Sequence, residues 1–136
     1  PEEQRLDGLH VLLVEDNEIN QEIAKELLLM EGASVDVADN GEQALDIFAR
    51  SEEGYYQLVL MDIQMPVMDG YTATAALRSL RRDDAKTAII LAMTANVFSD
   101  DVIKAEASGM NGHISKPFDP DRLYAMIAAS CHRKRG

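Results

Sequence analysis

Short apolar runs of β type alternate with helix-period segments along the whole chain. The runs are His10–Val14, Ser34–Ala38, Leu58–Met61, Ala88–Met93 and Gly112–Ser115. Between the first two, Ile19, Ile23, Leu27 and Met30 recur at i, i+4, i+8 and i+11, which marks one face of a helix. Ala44, Leu45 and Phe48 repeat the period more briefly, as do Ala73, Leu77 and Leu80, then Val102 and Ala105, then Leu123, Met126 and Ile127. Five strands and five helices are predicted. Val11-Leu12-Leu13-Val14 and Leu58-Val59-Leu60-Met61 are apolar on both faces, as strands covered by helices on both sides must be. Crossovers between parallel strands are right-handed, so these units predict an α/β fold, a three-layer doubly wound parallel sheet. A four-helix bundle leaves the short β-branched runs unexplained. Gly32 falls where the first helix should end, and Asn40-Gly41 opens a turn.

The length, 136 residues, suits one domain, and 46% hydrophobic residues can fill its core. Residues 1–8 read as a linker, 9–131 as the domain and 132–136 as a basic tail. With 13 basic against 24 acidic residues the net charge is −11, which excludes a nucleic-acid surface and would repel an anionic membrane. No apolar run approaches the roughly 18 residues of a membrane span, so no membrane insertion is expected. A single cysteine, Cys131, forms no internal disulfide, and a reducing cytoplasm is the expected setting. The chain opens on Pro1, the expectation for a piece of a longer polypeptide.

In an open parallel sheet, ligands bind outside the carboxyl ends of the strands. The residues there are polar: Glu15 and Asp16 after the first run, Asp62 after the third, Thr94 after the fourth, and Lys116 after the fifth. Taken alone, each is an ordinary cap, strand end or surface residue. Together they bring three acids, a hydroxyl and an ammonium to one rim. Converging carboxylates repel and call for a hard divalent cation such as Mg²⁺, which takes oxygen ligands. An ammonium beside that cation calls in turn for more negative charge, and a phosphoryl group supplies it with three acceptor oxygens.

These motifs resemble the receiver domain of two-component response regulators from about Leu9 to Ile127. The matching stretches are Val11-Leu12-Leu13-Val14-Glu15-Asp16-Asn17, Met61-Asp62-Ile63-Gln64-Met65-Pro66-Val67-Met68-Asp69-Gly70, Ala92-Met93-Thr94-Ala95 and Ser115-Lys116-Pro117-Phe118. The resemblance implies the flavodoxin-like receiver fold with strand order 2-1-3-4-5. It implies that Asp62 takes a phosphoryl group from a phosphohistidine, and that Glu15, Asp16, Asp62 and the Gln64 carbonyl hold Mg²⁺. Lys116 and Thr94 would act with Asp62, while Ile63, Gln64 and Ala95 would bind the phosphoryl oxygens. A histidine kinase or a histidine-phosphotransfer domain is the implied partner, and the segment from Val14 to Asn20 is most similar to receivers of hybrid sensor histidine kinases.

The family's switch pairs the threonine with an aromatic residue that is usually Tyr or Phe. Here the switch residues are Thr94 and His113, and the smaller imidazole is a departure. A phosphatase of the haloacid dehalogenase type also uses a strand-end Asp with Mg²⁺, but it needs an acid two residues on, where this chain has Gln64. A partner-binding receiver that is never phosphorylated usually lacks the Asp or Lys that this chain keeps. The pair Tyr55-Tyr56 and the charge run from Arg81 to Asp84 are expected in solvated loops.

Overall fold

The structure, a computed structural model, describes residues 6–63, 65, 67–94, 99–115, 119 and 121–126. The chain alternates as predicted: β1 (His10–Val14), α1 (Glu18–Met30), β2 (Ser34–Ala38), α2 (Gly41–Arg50), β3 (Leu58–Asp62), α3 (Gly70–Arg78), α4 (Asp84–Thr87), β4 (Ile89–Thr94), α5 (Ser99–Ser108) and β5 (Gly112–Ser115). A further helix, α6, covers residues 121–126. The five expected helices are present, and the single turn α4 is an addition inside the connection from α3 to β4. All five strands are parallel in the order β2-β1-β3-β4-β5.

Side chains alternate across each strand, so the sheet feeds two separate cores. Leu12, Val14, Val59, Met61, Ile90 and Ala92 meet Ala44 and Phe48 of α2, Ala73 and Leu77 of α3, and Ala105 of α5. Val11, Leu13, Leu58, Leu60, Leu91 and Met93 meet Ala24 and Leu28 of α1 and Leu123 of α6. These positions are almost wholly closed to solvent. Asn17, Asn40 and Asp69 cap α1, α2 and α3 by accepting from the backbone amides of Asn20, Gln43 and Thr72. Gly32, at φ 95°, ends α1 in the left-handed region that a side chain would resist.

One predicted face turns the other way. Ile19, Ile23 and Met30 are 70%, 49% and 69% exposed, while α1 buries Ala24 and Leu28 instead. The helix carries two overlapping apolar faces, and the one with the small Ala24 lies against the sheet. The other stripe is left on the surface.

The charge run and the tyrosine pair are also corrected. Arg82 and Asp84 are largely buried and form a forked pair, Nε to Oδ1 at 2.6 Å and Nη2 to Oδ2 at 2.9 Å. Arg82 Nη1 donates to the carbonyls of Phe48, Ala49 and Ser51, closing the last turn of α2. Its guanidinium also lies 5.0 Å from the centre of the Phe48 ring. Tyr56 is buried against Phe48, and its hydroxyl donates to Asp36 at 2.6 Å. Burial, helped by that bond, pushes the Tyr56 phenol well above its ordinary pKa. Tyr55 stays at the surface, stacked on His10.

Candidate functional site

The site follows from strand register. Val14 lies opposite Met61 across the β1–β3 pair, so Glu15, one step on, comes level with Asp62. Asp62 lies opposite Met93, and Thr94 is one step further along β4. The sheet order reverses between β1 and β3, the switch point where a doubly wound sheet opens a crevice.

Glu15, Asp16 and Asp62 meet there, each offering one carboxylate oxygen, and these oxygens all lie within 4.8 Å of one another. Glu15 is 2% exposed and Asp62 6%, while Asp16 faces solvent. Carboxylates brought this close repel one another when ionised, and a divalent cation would offset that repulsion.

The donor set fits Mg²⁺. It consists of hard oxygens, two of them sheltered and one at an open rim where water can fill the remaining positions. No imidazole or thiolate belongs to the group, as zinc would favour. Glu15 is held in place on both sides: its amide donates to Ala38 at 3.1 Å, and its Oε2 accepts from the Asn17 amide at 3.1 Å.

Around Asp62 the backbone is equally constrained. The Ile63 amide donates to Met93 at 3.3 Å, and the Ile63 carbonyl accepts from Gly70 at 2.9 Å. The loop between β3 and α3 holds Val67 at φ 69°, a left-handed conformation that costs a β-branched residue about 1–3 kcal/mol. Strain of that kind collects in loops whose shape serves a site.

Thr94 is half-buried at the end of β4, opposite Ser115 of β5. His113 is opposite Ala92 and lines a cavity of about 170 Å³ with Ala105, Met110 and Met126. Lys116, Gln64 and Ala95 lie outside the described residues. The sequence reading passes over Asp39, which follows β2 as Asp62 ends β3, and Gln21, which touches it. The strand-end rule applied to β2 finds Asp39, whereas Gln21 has no sequence signal.

The response regulator receiver domain family matches residues 11–128, and the chain belongs to that family. It is 38% identical over 119 residues to hybrid signal transduction histidine kinase I of Dictyostelium discoideum, a match covering 86% of this chain but 7% of that protein. The chain therefore spans a small part of that relative's length. The receiver domain of a Pseudomonas aeruginosa sensor histidine kinase, solved with magnesium coordinated in its active site cleft, is 34% identical with a TM-score of 0.79. That match covers 90% of this chain and 96% of the other. A Saccharomyces cerevisiae receiver domain, solved in complex with a histidine phosphotransfer signalling protein, is 31% identical with a TM-score of 0.80, covering 95% and 93%. Among the described residues no helix is long and apolar enough to cross a membrane.

Proposed function

We propose that Asp62 accepts a phosphoryl group from a phosphohistidine and that the domain thereby relays a two-component signal in the cytoplasm. The observation that carries this reading is the buried Asp62 at the end of β3 with its carboxylate within 4.8 Å of those of Glu15 and Asp16. An Asp62 carboxylate oxygen attacks phosphorus, the O–P bond forms as the N–P bond breaks, and the leaving imidazole keeps its electron pair. Glu15, Asp16 and Asp62, with the Gln64 carbonyl, would hold Mg²⁺, which when bound neutralises charge on the phosphoryl oxygens. Lys116 would share that charge-neutralising role, and Thr94, with the backbone amides of Ile63, Gln64 and Ala95, would receive the phosphoryl oxygens. At Ile63 that means exchanging the long bond to Met93 for one to phosphate. Thr94 and His113 then carry the change to the α5–β5 surface. Residues 9–131 form the working unit, with 1–8 as linker and 132–136 as a basic tail.

The donor is a histidine kinase or a histidine-phosphotransfer domain, and the parent protein is a hybrid sensor histidine kinase or a stand-alone regulator. The exposed Ile19 and Ile23 support a protein donor, because they offer apolar surface in the first turns of α1, the helix that follows Asp16 in the chain. Incubation with Mg²⁺ and acetyl phosphate, followed by intact mass measurement, tests the reading. One added phosphoryl group, lost in Asp62→Asn, supports it. An unchanged gain in that variant moves the acceptor elsewhere, and no gain in either favours a domain that only binds partners.

A further inference from the structure

Gln21 stands in the first turns of α1, six residues beyond Glu15, and its side chain reaches back out of the helix. Its amide nitrogen donates to the Glu15 carbonyl at 2.5 Å and to Asp39 Oδ1 at 2.8 Å. One NH₂ group thus bridges the turn after β1 and the turn after β2. The second anchor is itself fixed: the Asp39 amide donates to Gln43 Oε1 at 2.7 Å, and the Gln43 amide donates to the cap Asn40 at 2.8 Å.

The Glu15 carbonyl belongs to the planar peptide unit that joins Glu15 to Asp16. Holding its oxygen sets the tilt of that plane, and the tilt sets the directions in which both acidic side chains leave the backbone. Ala38 holds the amide side of Glu15, Asn17 holds its carboxylate, and Gln21 holds its carbonyl. We infer that Gln21 is a positioning residue of the acidic site, aiming the Glu15 and Asp16 carboxylates at a shared cation by clamping the peptide between them to Asp39. This inference rests on reading the acidic cluster as a Mg²⁺ site. The chemistry limits the substitutes. Glutamate has no proton to donate and would face two acceptors, asparagine is one methylene shorter, and leucine fills the space without bonding.

The test is a Mg²⁺ titration of the full chain without any phosphodonor, followed by the backbone amide resonances of residues 15–17. Outer partners that orient metal ligands typically change affinity about 10–100-fold when removed. Gln21→Leu is expected to weaken Mg²⁺ binding about tenfold while staying folded by urea denaturation, with Gln21→Glu at least as weak. Asp39→Asn removes the charge and keeps the acceptor, so it should bind within about twofold of the parent, whereas Asp39→Ala should be weaker than Asp39→Asn. Gln21→Leu binding within twofold of the parent overturns the inference. So does Asp39→Asn losing as much as Gln21→Leu, since that assigns the effect to charge. A parent chain with no Mg²⁺-dependent shift at residues 15–17 overturns the metal-site reading itself, a result separable from either of these.

Discussion

Gly70 opens α3 so close to Asp62 that a β-carbon on it would run into the Asp62 carbonyl oxygen and lie 2.9 Å from the Ile63 α-carbon. The obstacles are backbone atoms, which cannot swing aside as a side chain can. Gly70→Ala is therefore expected to push the end of β3 away from α3. Overpacking of this kind costs about 1–3 kcal/mol, measurable by urea denaturation. The same variant should take up phosphoryl from acetyl phosphate more slowly, because the displaced backbone carries Asp62, the proposed acceptor.

The Arg82–Asp84 pair makes the second prediction. Burial alone would raise the Asp84 carboxyl, but the Arg82 guanidinium and the Gly54 amide at 2.7 Å outweigh it and hold the group below its ordinary pKa. Asp84→Ala removes the charged partner of a guanidinium that keeps its bonds to the end of α2, and should lose about 1–3 kcal/mol. Because the folded pKa is depressed, Asp84 contributes its full stability above about pH 4, where the unfolded carboxyl titrates, and loses it as pH falls through the folded value. The stability gap between the parent chain and Asp84→Asn, measured by urea denaturation at several pH values, should shrink below about pH 4.

Thr74 of α3 is completely buried, and its hydroxyl has no hydrogen-bond partner among the described residues. An unsatisfied buried hydroxyl costs about 1–3 kcal/mol. Thr74→Val keeps the branched shape and removes the polar atom, so a gain of about 1 kcal/mol is expected in denaturant unfolding. A loss of that size would mean the hydroxyl is satisfied after all.

A docking role for the exposed stripe on α1 would separate protein donors from small ones. Ile19→Ser with Ile23→Ser changes surface positions and should leave stability within about 0.5 kcal/mol. Phosphorylation by acetyl phosphate should proceed at the parent rate. Transfer from a phosphorylated histidine-phosphotransfer domain should slow about tenfold, the effect of losing about 1.4 kcal/mol of docking energy. Equal slowing with both donors would mean the helix shapes the site instead of recruiting the partner.

Much of this was legible before the structure. Strands that are apolar on both faces have one common arrangement, and once they are parallel the residue after each must lie on the same rim, which is how Glu15, Asp16 and Asp62 could be grouped. The outward turn of Ile19 and Ile23 was not legible, because periodicity finds an apolar stripe without saying which of two overlapping stripes meets the sheet. Nor was Arg82, whose partners on Phe48 and Ser51 are more than thirty residues away in sequence. Gln21 escaped for a related reason, since a bond back over six residues depends on the bend of a turn and leaves no periodic trace.

The account stands on Asp62 as the proposed acceptor in an acidic crevice that could hold a cation. Borohydride reduction after treatment with acetyl phosphate converts an aspartyl phosphate to homoserine, which peptide mass mapping then locates. The prediction is homoserine at position 62 alone, present with Mg²⁺ and absent when the metal is chelated. Homoserine at another position, or at position 62 in equal amount under chelation, would contradict it.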